Sequence, residues 1–354
     1  MNLDKIGWDA QLAEAFLPHH NANLKPARVS IAHGGYYTLL GEDGELQATL
    51  AGKVRHKSSS EDWPVAGDWV AVAVRVEERT AAIQAVLPRR TKFSRKMAGK
   101  AVTEQVLAAN VDLVFVAASL NQDFSPRRIE RYIALALENG VAPVVLLTKS
   151  DLVEDTTEFT AEIEAISRGV PVHTVSALDG IGLEDLQRYL EPGKTAVILG
   201  SSGVGKSTLV NLLTGTDSQS VQEIREDGKG RHTTTRRELI LLPGGGMMID
   251  TPGIRELGMW EGAEGVRETF EDIQDLAARC KFGNCRHESE PGCAVLAAVE
   301  GGSLSVERFD SYCKLSEEVE FLASKKDELA RQTRKKSEKS LHKLQKNFHK
   351  LRGR

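Results

Sequence analysis

A chain of 354 residues with 41% hydrophobic content can bury a large core and divide into two or three domains. No stretch approaches the roughly 20 consecutive apolar residues of a membrane span, Met1-Asn2-Leu3-Asp4-Lys5 lacks the basic-then-apolar pattern of a signal peptide, and four cysteines, three of them crowded between 280 and 293, suggest a metal in a reducing cytoplasm rather than a disulfide framework. The net charge of −4 conceals an asymmetry: residues 331–354 carry ten Lys/Arg and one Glu, leaving that tail at +9 and the rest at −13. A basic tail on an acidic body points to nucleic acid or another acidic surface.

Residues 1–25 form a lead-in, with Trp8, Leu12, Phe16 and Leu17 spaced for a short helix. From Ala27 to Val86, five short alternating runs are punctuated by Gly34-Gly35, Glu42-Asp43-Gly44 and Ala66-Gly67-Asp68. Five short strands in so little chain predict a small barrel, with the OB-fold the natural candidate over 26–90. Lys53, Arg55, Lys57, Tyr36 and Tyr37 fit a nucleic-acid groove; an all-β packing module with ordinary surface lysines fits equally well. Residues 91–105 extend a run rich in Lys and Arg that begins at Arg89 and reads as a basic linker, either touching RNA phosphates or simply solvated.

The period then changes to α/β. A buried strand over Val111–Leu120 precedes a helix with Ser125 as N-cap and Pro126 at its first position, ending near Asn139-Gly140. Strand Val144–Leu147, a helix, a strand ending at Val175, and a helix over Leu183–Leu190 lead to Thr195–Leu199. Alternating strands and helices predict a doubly wound parallel sheet with its ligand at the carboxyl ends. Thr195–Leu199 runs into Gly200-Ser201-Ser202-Gly203-Val204-Gly205-Lys206-Ser207-Thr208 and then a helix, the strand–loop–helix context of a P-loop. Gly200 and Gly205 allow the backbone amides to face one anion, Lys206 adds charge for the β- and γ-phosphates, and Ser207 can ligate magnesium.

Other short motifs resemble those of GTPases. Thr148-Lys149-Ser150-Asp151 resembles the Asn/Thr-Lys-x-Asp base reader, whose Asp151 accepts from the two donors of guanine that adenine lacks in that arrangement. Ser176-Ala177 resembles the second base loop. Asp250-Thr251-Pro252-Gly253 resembles the γ-phosphate switch, with Asp250 near magnesium, and Thr234 lies where the first switch threonine belongs. Both base-reading loops precede the P-loop, so the domain over 106–256 is a circular permutation. Ile254 stands where many GTPases orient water with Gln, so intrinsic turnover should be slow; His232 either positions that water or packs or binds RNA.

Cys280-x4-Cys285-x-His287-x5-Cys293, within a helical unit over 257–330, suits a closed tetrahedral zinc site, the alternative being reduced core cysteines. Cys313 is expected to be buried core. Together, the barrel, the permuted P-loop domain, Gly-Arg-His-Thr-Thr-Thr, Asp-Thr-Pro-Gly-Ile-Arg-Glu and the cysteine cluster resemble the ribosome-small-subunit-dependent GTPase A family (RsgA, also called YjeQ), from about 25 to 325. The resemblance implies a multidomain α/β protein: OB-fold barrel, circularly permuted GTPase and zinc-finger domain. It also implies late maturation of the small ribosomal subunit, binding to that subunit and its rRNA, and GTP hydrolysis to GDP stimulated by the subunit. A monomer without membrane contact is expected. A GTP-gated RNA-binding scaffold with incidental turnover is the alternative.

Overall fold

The computed structural model describes residues 1–20, 23–57, 63–96, 104–122, 124–167, 169–201, 203–215, 237–250, 266–267, 269–317, 319–320 and 324. The lead-in forms a 3-10 turn, Asp4–Ile6, and helix α1 (Ala10–His20), whose Leu12 and Phe16 are buried. They pack in one cluster with Trp69 and Val114, and Trp8 meets Trp69 edge-on at 4.8 Å between ring centres. The lead-in is therefore part of the core between the two units that follow.

Strands β1 (Lys25–His33), β2 (Tyr36–Gly41), β3 (Gly44–Leu50), β4 (Trp69–Arg75) and β5 (Thr80–Val86) pair in the order β1-β2-β3-β5-β4, and β4 returns to β1, closing an OB-like barrel. Helix α2 (Gly52–Lys57) lies between β3 and β4 in sequence and carries exposed Lys53 and Arg55. Successive strand residues point to opposite faces. That period overturns one expectation: Tyr37 is buried in the barrel core and cannot serve as a base platform, whereas Tyr36 is 71% exposed. The supposed basic linker is also different. Among its described residues, Lys92–Lys96 forms β6, paired antiparallel with β7 (Glu104–Ala109) and anchored by fully buried Phe93. Just before it, Arg89 makes two 2.8 Å bonds to buried Asp68, and Arg90 pairs with Asp9 at 2.6 Å. Those two charges are satisfied within the fold.

Strands β8 (Leu113–Ser119), β9 (Ala142–Thr148), β10 (Val172–Val175) and β11 (Thr195–Leu199) run parallel; β12 (Arg237–Leu241) lies antiparallel to β13 (Met247–Asp250), itself parallel to β11. The order is β10-β9-β8-β11-β13-β12. Alternate residues divide between two cores. Val114, Val116, Val145, Leu147, Val197 and Leu199 meet helices α3 (Pro126–Glu138) and α4 (Thr157–Ser167) on one face. Leu113, Phe115, Leu146, Ala196 and Ile198 meet α5 (Leu183–Tyr189) and α6 (Lys206–Thr214) on the other. Burial of a side chain such as Phe115 contributes roughly 1.5–3 kcal/mol, so a charge at either seam would part sheet from helix. Ser125 has the extended backbone of an N-cap, but its hydroxyl makes no capping bond; Pro126 at the first position starts α3.

Strand β12 is absent from the sequence-based expectation, and it pairs with β1 of the barrel. Barrel and α/β sheet therefore share one hydrogen-bonded surface. The period of β1 suits this: Ala27 and Val29 fill the barrel, while Arg28 and Ser30 face the α/β unit. Fully buried Arg28 donates to Ile6 O, Gly67 O, Asn110 O and Thr195 Oγ1 at 2.6–3.2 Å.

Beyond residue 265, α7 (Glu271–Ala277), α8 (Ala294–Glu300) and a helix over 306–317 surround Phe270, Ile273 and Val295, a helical unit as expected. Cys313 is half-buried rather than core. The basic tail 331–354 lies outside the described residues. Among the described residues, no helix is long and apolar enough to cross a membrane.

Candidate nucleotide site and metal centre

From the middle of the α/β sheet, β8, β9 and β10 step outward in one direction and β11 and β13 in the other. The switch point lies between β8 and β11, where sheets of this type bind ligands beyond their carboxyl ends. The Gly200–Thr208 loop emerges there. Gly200 has φ 151°, and a Cβ would lie 2.4 Å from Ala117 O, so a side chain would force loop and β8 apart. Gly205, at φ 92°, turns the chain into α6, whose first-turn amides point out of the helix with its positive dipole end. Lys206 Nζ donates to Gly200 O at 2.7 Å and Ser201 O at 2.5 Å, holding the ammonium over the loop. Val204 is buried, and Ser207 is exposed on the first turn of α6. Amides, ammonium and hydroxyl in this arrangement can hold a chain of phosphates.

The base-reading candidates lie at the ends of β9 and β10. Thr148 is buried, and its hydroxyl donates to Val204 O at 2.7 Å, with Ala118 O at 3.3 Å. One hydroxyl thus ties the end of β9 to the Gly200–Thr208 loop, a joining role that needs no carboxamide at this position. Lys149 follows in the left-handed region, at φ 57°, and starts the 3-10 turn Ser150–Leu152. Asp151 Oδ1 accepts from Ser176 Oγ at 2.8 Å, and the amide of Asp179 donates to the same hydroxyl at 3.1 Å. Ser176 is fully buried and bonds Ile181 in both directions through its backbone, so the loop carrying Ala177 is closed on itself. A carboxylate held in this way can accept from two adjacent donors of a flat base.

Asp250 closes β13 opposite Glu238, next to the strand that feeds the Gly200–Thr208 loop. Ser202, His232, Thr234, Gly253 and Ile254 lie outside the described residues. One residue near the loop had not been anticipated: Arg128, in the first turn of α3, donates to Ser201 Oγ at 3.1 Å. Its only signal in the sequence is an Arg-Arg pair at a helix start just after a strand end.

The four C-terminal candidates come together, with the ligand atoms of Cys280, Cys285, His287 and Cys293 all within 4.8 Å of one another. Cys280 and Cys293 sulfurs are 3.8 Å apart, and His287 Nδ1 lies 3.7 and 3.3 Å from them. Tetrahedral zinc with Zn–S of about 2.3 Å requires sulfurs about 3.8 Å apart. The surroundings also suit a cation. Desolvation and the neighbouring Cys293 and Cys280 thiols push the Cys285 thiol up to about 11. Desolvation lowers His287, keeping its imidazole neutral and ready to donate a lone pair. The Leu296 amide at the start of α8 donates to Cys293 Sγ at 3.4 Å, as amides do to metal-bound thiolates. The donor set fits one structural zinc.

The comparisons agree with this architecture. The RsgA GTPase family model matches residues 86–260. A protein from Opitutus terrae named small ribosomal subunit biogenesis GTPase RsgA is 44% identical over 365 aligned residues, covering 100% of both chains. One of the same name from Syntrophotalea carbinolica is also 44% identical, covering 95% of this chain and 94% of that one. The crystal structure of YjeQ from Thermotoga maritima superposes with a TM-score of 0.64 at 29% identity, covering 84% of this chain and 98% of the other. YloQ, described as a circularly permuted GTPase, gives 0.60 at 28%, covering 88% and 98%. Barrel, permuted sheet and zinc ligands all point the same way, and this chain, a GTP hydrolase, belongs to the RsgA GTPase family.

Proposed function

We propose that this GTPase works in maturation of the small ribosomal subunit, binding that subunit and its rRNA as a cytoplasmic monomer and hydrolysing GTP faster when bound. The observation that supports this nucleotide site is the Thr148–Val204 bond, which ties the end of β9 to the Gly200–Thr208 loop. The ribosomal partner is supported by the name its full-length relatives share.

The amides of Gly200–Thr208, Ser202 among them, and Lys206 hold the phosphates. Asp151, fastened by Ser176, accepts from guanine's ring N–H and amino group; the Ala177 amide meets the guanine carbonyl, and the Lys149 stem covers the base. GTPases of this family use magnesium with GTP, which when bound would supply positive charge to offset that of the phosphates. Ser207, on the helix after β11, and Asp250, at the end of neighbouring β13, would hold it. Thr234, Asp250 and Gly253 sense the γ-phosphate, and His232 orients the attacking water. Ile254 cannot hydrogen-bond water, so the subunit completes the site. Phosphate release with and without purified small subunits is the test: a rate that rises with subunit concentration supports this function. An unchanged rate favours a scaffold in which turnover is incidental.

A further inference from the structure

Helix α3 touches both the phosphate loop and the zinc-binding unit, on opposite sides. At about 100° per residue, Arg128 and Glu130 project from nearly opposite faces. Arg128 reaches Ser201 Oγ across a small crevice lined by Ala117, Ser125 and Tyr132. Glu130, 2% exposed, receives Arg308 of the helix over 306–317 at 2.5 Å. The same guanidinium takes Asp272 of α7 with two bonds of 2.7 and 2.8 Å, donates to Ile166 O of α4 and Thr269 O, and lies 4.8 Å above the Phe270 ring. One turn further along, Ala134 is buried within the apolar cluster that also contains the zinc ligand Cys293. The zinc-binding unit is thus docked on α3 through a buried, fully bonded charge network and an apolar seam.

We propose that Arg128 is a positioning residue for the phosphate loop, and that α3 transmits the docking state of the zinc-binding unit to that loop through it. A buried ion network has a few discrete arrangements rather than a continuum, because any partner left unpaired is strongly penalised. Movement of Arg308 therefore re-seats the first turn of α3, and the Arg128–Ser201 bond passes the shift to the loop. The crevice beside Arg128 leaves room for it. The route is separate from the chain connection through 251–265. It rests on the reading of Gly200–Thr208 as the phosphate site.

The test measures dissociation of a fluorescent GDP from the full-length zinc-loaded protein, chased with excess GDP, in wild type, Arg128→Ala, Glu130→Gln and the double variant. Zinc content and melting temperature are followed in parallel. Each single change should accelerate release by about fivefold, a coupling typical of side chains in one network. The double variant should release no faster than the faster single one. A double effect equal to the product of the two singles would overturn the proposal, as would an unchanged rate in either single variant, because a purely structural loss at Glu130 would act regardless of Arg128. Should Glu130→Gln fail to retain zinc, Arg308→Lys, which keeps the charge but loses the fork, takes its place with the same expectations. Failure of the wild type to bind the labelled GDP would instead sink the nucleotide site itself.

Discussion

Thr148→Val asks whether the base-reading strand and the phosphate loop act as one piece. Thr148 is 3% exposed and donates to Val204 O at 2.7 Å, while Val204 is 1% exposed. Valine fills nearly the same space, so the change is the loss of one donor facing a buried carbonyl. A typical hydrogen bond contributes about 0.5–1.5 kcal/mol net, and an orphaned buried acceptor costs about 1–3 kcal/mol. A destabilisation of about 1.5–2 kcal/mol is therefore expected, from the same terms. Nucleotide binding should respond as well. Without the tie, the two loops sample arrangements that cannot hold base and phosphates together, and apparent Kd rises as the inverse of the competent fraction. A shift of about 1.4 kcal/mol in that equilibrium raises Kd by at most about tenfold, the limit reached when the incompetent arrangements dominate. Thr148→Ser keeps the hydroxyl and should restore most of both losses. The assays are urea unfolding and titration of fluorescent GDP. Lower stability with unchanged Kd would show that the bond braces the fold but does not align the loops. No change in either would refute the reasoning altogether.

Lys206→Ala removes the phosphate-facing charge and should abolish GTP turnover while zinc content stays at that of the wild type; wild-type phosphate release would sink the loop assignment. Asp151→Asn presents an amide donor to guanine's own donors but suits xanthine, whose extra carbonyl accepts it. The ratio of xanthosine to guanosine nucleotide affinity, measured by competition, should rise on the order of 10- to 100-fold. Zinc affinity should fall as pH falls, because a Cys285 thiol raised to about 11 in the metal-free site is protonated at neutral pH and must release its proton to bind. Chelator competition at pH 6.5, 7.5 and 8.5 checks this, and a flat profile would count against thiolate ligation by Cys285.

The parts legible in the sequence were those governed by local period and local chemistry. Alternation exposed the five barrel strands, apolar runs the buried parallel strands, and fixed spacing the strand–loop–helix around Gly200–Thr208 and the zinc ligands, because each set of residues makes its structure within a short stretch of chain. What stayed hidden depends on distant partners. Arg28 sits in an alternating strand and looks like a solvent-facing position, yet its partners at Asn110 and Thr195 are far away in sequence. Arg89 and Arg90 look like a solvated run because Asp68 and Asp9, which neutralise them, lie earlier in the chain. Tyr36 and Tyr37 are interchangeable by composition, and only the register of β2 decides which is buried. Strand β12 is short and only partly buried, with Arg and Glu at its start, so its pattern is too weak to identify without β1 and β13 on either side.

The two flanking units are attached to the GTPase sheet by different physics, and this assigns them different parts in any signal. The barrel continues the sheet: β1 pairs with β12, and Arg28 bonds backbone and side-chain oxygens of the lead-in, the barrel and the α/β unit at once. Moving it would break ladder bonds and strand a fully buried guanidinium together with several buried acceptors, each orphan costing about 1–3 kcal/mol. The barrel and the α/β sheet should therefore move as one body. The zinc-binding unit instead meets α3 and α4 with no strand pairing among the described contacts, through a seam centred on Arg308, which bonds Glu130 of α3, Ile166 O of α4 and its own neighbour Asp272. Such a seam can rearrange without breaking any ladder, provided each charge keeps a partner. The nucleotide site has a rigid neighbour on one side and a movable one on the other, so a change at the phosphate loop has somewhere to go. It travels toward the zinc ligands rather than toward the barrel.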